Sequence, residues 1–175
     1  MTREQLEHVL RAAAAIASEN SLVVVGSQAV LLPFPNAPAS LLVSREVDLY
    51  PALHPERADL IDGAIGAMSS FDETFGYHAD GVGPDTAVMP ADWMKRVSLH
   101  YIGEITVICP EIHDLAVSKA VAGRDKDADF VRVLLKERMI DIDTLLNRIR
   151  CLDAAQHPTA QVLAWAQRRA LEAQA

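Results

Sequence analysis

Leu22-Val23-Val24-Val25-Gly26-Ser27, followed about twenty residues later by Glu46-Val47-Asp48-Leu49-Tyr50, is the stretch whose reading decides the fold. Four apolar residues running into a Gly-Ser turn read as a short buried strand. The segment Gln28 to Leu32 reads as a helix, whose first N–H groups, with the Ser27 hydroxyl, would face an anion. In the second segment side chains alternate between faces, so Glu46 and Asp48 point the same way. Two hard oxygen ligands side by side suit Mg²⁺, which keeps several waters and is shared with substrate phosphates. Neither segment is specific alone. Their order and spacing carry the reading.

Working outward, Leu6, Val9, Leu10, Ala13, Ile16 and Ala17 recur at helical spacing and predict an amphipathic helix over 3–19. Pro33, Pro35, Asn36 and Pro38 make 33–40 a loop, and Pro51 stops the strand at Tyr50. A helix starts at His54-Pro55-Glu56 and runs to about Ile65, with Pro55 suited to its first turn. The Gly- and Pro-rich run 76–90 reads as short strands or a structured loop. Val97–Tyr101 and Glu104–Ile108 about Ile102-Gly103 read as a hairpin. Helices follow from Glu111 to Ala122, with Gly123 as the stop, then over 126–137, 142–149 and 159–172.

A chain of 175 residues fits one domain or one domain with a helical appendage, and 50% apolar residues supply a core. We expect an α/β core over 1–110 and a C-terminal helical segment over 111–175 packed on it as one compact unit. No apolar run is long enough to span a membrane. The opening Met1-Thr2-Arg3-Glu4-Gln5 reads as a polar helix start, not a signal peptide. Cys109 and Cys151 lack any Cys-x-x-Cys framework and read as reduced, partly buried thiols of a cytoplasmic protein. Of the net charge of −8, residues 1–118 carry −10 and 119–175 carry +2. Such acidity argues against nonspecific DNA binding, while the more basic end would meet a triphosphate or an RNA backbone locally.

A second chemical cluster is Lys119, Arg124, Lys126 and Asp127, where one helix ends at Gly123 and the next begins. Three cations close together across a turn would contact a triphosphate, Arg as a fork and Lys as a point charge. Asp127 would orient Lys119 or Arg124, or cap the following helix. An ordinary exposed interhelical turn is the plain alternative.

The ordered set Gly26-Ser27, Glu46-Val47-Asp48, and Lys119 followed eight residues later by Asp127 resembles the nucleotidyltransferase superfamily. It looks closest to small bacterial proteins related to the nucleotidyltransferase toxins of abortive-infection systems. Ser44–Pro51, Phe75-Gly76-Tyr77 through Gly81-Val82, and His113-Asp114-Leu115 with Ser118-Lys119 and Ala122-Gly123-Arg124 also carry this similarity, which covers 20–135. The resemblance implies an α+β fold, a mixed twisted sheet flanked by helices with further helices on the C-terminal side. It implies transfer of a nucleotide from an NTP to an RNA, protein or small-molecule acceptor, with release of pyrophosphate. Gly26 and Ser27 would hold phosphates, Glu46 and Asp48 would carry Mg²⁺ or Mn²⁺, and Lys119, Arg124 and Lys126 would stabilise the triphosphate. Glu46, Asp48, Lys119 and Asp127 are then the catalytic set. A cognate toxin or antitoxin partner belongs to the same implication.

Two departures stand out. The first carboxylate is Glu46 where the family has Asp, which lengthens the side chain by a methylene. The family's third carboxylate, on a later strand, has no evident counterpart, and Glu104 and His100 both leave the base unassigned. A catalytically lapsed member serving as a binding or regulatory module is therefore the alternative reading. An unrelated α+β domain with coincident motifs is the third. Trp93, Trp165, Tyr50 and Tyr77 read as packing, His113-Asp114 as a helix start, and His8 and His54 lack partners at metal-ligand spacing.

Overall fold

The computed structural model describes residues 1–174. The chain divides into two compact units, residues 1–86 with 97–110, and residues 87–96 with those from 111 onward. The fold is α+β, as expected from the resemblance.

The first unit holds helices α1 (Arg3–Ala17), α2 (Ala58–Ile65) and α3 (Ser70–Phe75) and a five-stranded sheet. Its strands are β1 (Ser21–Val24), β2 (Glu46–Pro51), β3 (His78–Gly81), β4 (Ser98–Ile102) and β5 (Ile105–Cys109), in the order β3-β2-β1-β5-β4. β1 runs antiparallel to β2 and parallel to β5, β3 is parallel to β2, and β4 is antiparallel to β5. The mixed sheet and the β4–β5 hairpin match the expectation, with Gly103 at φ 62° in the tight turn, where a side chain would be strained.

α1 starts in a capping box. Thr2 Oγ1 accepts from the Gln5 N–H at 3.2 Å, and Gln5 Oε1 accepts from the Thr2 N–H at 2.8 Å. It buries Leu6, Val9, Leu10, Ala13, Ala14 and Ala17, the predicted stripe, against β1, β2, β3 and α2. It ends two residues earlier than expected, because Ser18 turns left-handed at φ 51°. The helix expected from His54 to Ile65 is a 3₁₀ turn, Pro55–Arg57, followed by α2. The helix expected over Gln28–Leu32 is likewise a 3₁₀ turn, Ser27–Leu31, and not an α-helix. α3 was not expected. Ser69 caps it by accepting from the Asp72 N–H at 3.2 Å, and Gly76 closes it at φ 74°.

In β2, Val47 and Leu49 are buried while Glu46 and Asp48 are half-buried, the alternation of a strand with two different faces. Gly81 of β3 packs so closely on α2 that an added Cβ would fall on the Ala58 carbonyl, 2.7 Å from its carbon. Ala79 lies two residues away on the same side of the strand. α2 therefore covers the Val47, Ala79 and Gly81 face, and Glu46, Asp48, His78 and Asp80 share the other.

The second unit is a helical bundle of α4 (Ile112–Ala122), α5 (Asp125–Lys136), α6 (Ile142–Arg150) and α7 (Thr159–Gln174). Leu115, Ala116, Val131, Leu134, Leu145, Ile149, Val162 and Ala166 form its core. The segment 87–96 joins it through Arg96, whose Nε and Nη2 donate to Oδ2 and Oδ1 of buried Asp114 at 2.7 and 3.0 Å. No described helix is long and apolar enough to cross a membrane.

Candidate active site

The sheet ladder places the first two motifs together. Val24 pairs with Leu49, and the Val25 N–H donates to the Asp48 carbonyl at 3.0 Å, so the chain leaves β1 at Gly26 directly beside Asp48. A Cβ on Gly26 would run into the Asp48 carboxylate, 2.7 Å from Cγ and 2.9 Å from Cβ. Gly26 has φ −78°, which any residue adopts, so it is the space that requires glycine. Ser27 follows as the first residue of the 3₁₀ turn and is half-buried.

The neighbouring strand adds two groups that the sequence reading missed. β3 pairs with β2 in a register that sets Glu46 opposite His78 and Asp48 opposite Asp80. Four polar side chains thus stand as a square on one face: Glu-x-Asp on one strand and His-x-Asp on the other. Ligand atoms of Glu46, His78 and Asp80 lie within 4.8 Å of one another, and this is the one such group among the described residues. The donor set, carboxylate oxygens with an imidazole nitrogen, fits a divalent cation. The cradle that Gly26 leaves for the Asp48 carboxylate adds a further anionic oxygen beside it.

A carboxylate outside this square fixes the imidazole. His78 Nδ1 lies 3.1 Å from Asp72 Oδ1, and Nε2 lies 3.4 Å from Asp80 Oδ1. Asp72 also accepts from the Met68 N–H at 3.2 Å and meets Arg45 Nη2 at 3.3 Å. The hydrogen bond with His78, then that from Met68, holds the Asp72 carboxyl below its usual range.

Asp80 is a third carboxylate on the face of Glu46 and Asp48, on a strand later in the chain. Glu104 is exposed in the β4–β5 turn, between strands two and three places from β2 in the sheet order. His100 sits on β4, at the sheet edge opposite β3, with Nε2 2.9 Å from Ser98 Oγ. Burial, with Arg3 adding to it, lowers the His100 pKa.

The cationic cluster lies in the second unit. Lys119 is nearly buried, its side chain 11% exposed, with Nζ 3.7 Å from Asp127 Oδ1 and 5.9 Å from the Phe130 ring centre. Asp127, 2% exposed, accepts from the Arg124 N–H at 3.2 Å and from Arg124 Nε at 2.6 Å. Asp127 therefore both caps α5 and gathers Lys119 and Arg124, two of the roles expected of it. Arg124 is exposed over more than half of its side chain, and Lys126 is exposed. The α4–α5 turn itself is as expected, with Gly123 left-handed at φ 63°.

Other candidates resolve as structure. Tyr50 and Tyr77 are buried, and His8 Nδ1 meets the Tyr77 hydroxyl at 2.8 Å. His54 Nδ1 lies 3.0 Å from buried Glu19, which also accepts from the Leu53 N–H at 2.7 Å. His113 accepts from the Asp141 N–H through Nε2 at 2.9 Å, so its Nδ1 carries the proton shared with Glu111 at 2.8 Å. Cys109 is buried and Cys151 exposed, where partial burial was expected of both.

A glycine cradles the second of two strand-borne carboxylates, with a third on the next strand, in an α+β fold consistent with a nucleotidyltransferase-like one. The chain belongs to a family described as nucleotidyltransferase of unknown function (DUF6036), which it matches over residues 4–169. No curated protein and no solved structure matches it.

Proposed function

We propose that the chain is a divalent-metal-dependent nucleotidyltransferase, moving a nucleotide from an NTP to a hydroxyl of an RNA, a protein or a small molecule. The observation that carries this reading is the close fit of Gly26 against Asp48, on a sheet face shared with Glu46 and Asp80. Gly26 and the Ser27 hydroxyl hold the phosphates, and Glu46 and Asp48, with Asp80 beside them, hold Mg²⁺ or Mn²⁺. The ion supplies charge neutralisation on the triphosphate and a lowered pKa for the attacking hydroxyl. The acceptor oxygen forms a bond to the α-phosphorus. The α–β bridging oxygen leaves with the electron pair as pyrophosphate, and the acceptor proton passes to the Asp80 carboxylate. Arg124 and Lys126 contribute positive charge for the triphosphate, and Lys119 with Asp127 completes the catalytic set.

A catalytically lapsed binding protein is the second reading, favoured by Glu46, whose extra methylene shifts a metal ligand. A toxin–antitoxin or phage-defence setting in the cytoplasm, with a cognate partner, is part of the proposal. A neighbouring gene for a small helical or DNA-binding protein would support that setting.

The test incubates the purified chain with each α-³²P-labelled NTP, Mg²⁺ or Mn²⁺ and total RNA, beside Asp48→Ala. Label transferred to RNA or protein by the wild type alone supports the enzyme. Metal-dependent NTP binding without transfer, lost in Asp48→Ala, supports the lapsed reading. Neither binding nor transfer overturns both.

A further inference from the structure

We propose that His78 is itself a metal ligand, so that the ion held by the carboxylates of this face, Asp48 among them, also takes an imidazole nitrogen in a mixed oxygen–nitrogen set with Glu46 and Asp80. This set favours a first-row transition ion such as Mn²⁺ over Mg²⁺. The inference rests on the metal-dependent reading above and names which ion the site selects and why.

The register supplies the first argument. His78 stands opposite Glu46 and two residues from Asp80 on one face of the sheet, so all three side chains rise from adjacent backbone positions. An ion with bonds of about 2.1 Å spans at most about 4.2 Å between opposite ligands. The three ligand atoms already lie within 4.8 Å of one another, so side-chain movements of up to about an ångström each bring them to the spacing of ligands on one ion. His78 Nε2 and Asp80 Oδ1, 3.4 Å apart, are near the separation of adjacent ligands.

The imidazole is also supported as metal-bound imidazoles are. A ligating His ordinarily donates its other ring N–H to a carboxylate, which fixes the tautomer and raises the basicity of the ligating nitrogen. Here Asp72 takes that place at Nδ1, and Nε2 is the nitrogen directed to Asp80. Asp72 is held by the capped first turn of α3, through the bonds of Ser69 and Met68, and by Arg45. With its side chain only 13% exposed, His78 has little freedom to swing out.

The chemistry then decides the ion. Mg²⁺ favours oxygen and gives up water reluctantly, so an imidazole adds little to its binding. Transition ions accept imidazole readily, and one nitrogen among carboxylates tilts selection toward them. The competing arrangement is a protonated His78 bridging Asp72 and Asp80, which offers no lone pair to an ion.

The full chain, freed of metal, is titrated with Mn²⁺ and with Mg²⁺ without nucleotide and followed by calorimetry. The Mn²⁺ form is then examined by electron spin-echo envelope modulation. The expected result is a ¹⁴N coupling of directly bound imidazole in the wild type that disappears in His78→Gln. Mn²⁺ affinity should fall at least about tenfold in that variant, while Mg²⁺ affinity moves less than about threefold. Asp72→Asn should keep the ¹⁴N coupling and weaken Mn²⁺ about 10- to 100-fold, as loss of an orienting carboxylate does. Because the wild-type spectrum needs no variant, a misfolded His78→Gln leaves the test intact. Mn²⁺ bound without ¹⁴N coupling overturns the inference and leaves the nucleotidyltransferase reading standing on its carboxylates. Failure of both ions to bind, with or without an NTP, overturns both.

Discussion

Gly26 and Asp48 share a space that holds one side chain. The Asp48 carboxylate occupies the volume that a Cβ on Gly26 would fill, and β1–β2 pairing through the Val25 N–H locks the two backbones together. Because Asp48 Cβ and Cγ, as well as Oδ2, lie within 2.9 Å of that point, no rotation of its carboxylate tip relieves the overlap. Gly26→Ala should therefore displace Asp48 and abolish nucleotidyl transfer. Its φ is ordinary, so the cost to folding should be the overpacking alone, about 1–3 kcal/mol. Transfer assayed beside thermal melting checks this; a folded, fully active Gly26→Ala would show that the apposition is not needed.

Asp80 and Glu104 make a matched pair of controls. Asp80 stands opposite Asp48 on β3, whereas Glu104 is exposed in the β4–β5 turn at the far end of the sheet. Asp80→Asn should lower kcat by about 10²-fold or more, the scale of a lost general base. Glu104→Gln should leave the rate within about twofold, since it removes no group from that face. The reverse ranking would return the third carboxylate to the hairpin.

The contrast between these two acids also shows what the sequence can and cannot carry. β1, β2 and the hairpin were legible because apolar runs, alternation and a turn glycine are local signals. Gly26 and Asp48 were legible as a pair because motif order stands in for antiparallel pairing. β3 was only partly legible: the Gly- and Pro-rich run around its four residues reads equally as short strands or a loop, and its pairing with β2 joins residues 32 apart. A usable signal was nonetheless present, since His78-x-Asp80 repeats the two-residue spacing of Glu46-x-Asp48. α3 left a similar trace in Ser69 and Gly76, a cap and a stop seven residues apart. The Lys119–Asp127 pairing was anticipated, but the burial of Lys119 against Phe130 left no trace, because a polar turn looks the same whether its cations face water or pack inward.

The two cysteines should separate cleanly in alkylation. Burial pushes the Cys109 thiol up to about 12, and its sulfur contacts the Ala29 and Pro110 carbonyls at 3.5 and 3.4 Å. Thiolate is the reactive form, so Cys109 should resist iodoacetamide at pH 8 while exposed Cys151 reacts. Mass spectrometry should find one label on the native chain and two in denaturant. Rapid native labelling of Cys109 would mean that the end of β5 opens readily.

Acid should weaken the helical unit partly through Asp141. Its carboxylate caps α6, accepting from the Thr144 N–H at 2.8 Å and the Thr144 hydroxyl at 3.0 Å, and these bonds lower its pKa. A carboxyl with a depressed folded pKa is ionised in the native state where the unfolded chain already binds a proton. Its contribution is therefore complete above the unfolded value of about 3.9 and disappears as pH falls through the lower folded value. Asp141→Asn keeps a capping side chain but cannot titrate. The wild type should exceed it in melting temperature by a constant margin from pH 5 to 7, and that margin should shrink below pH 4. A margin that instead grew on acidification would mean that Asp141 is destabilised in its ionised form, contrary to its hydrogen bonding.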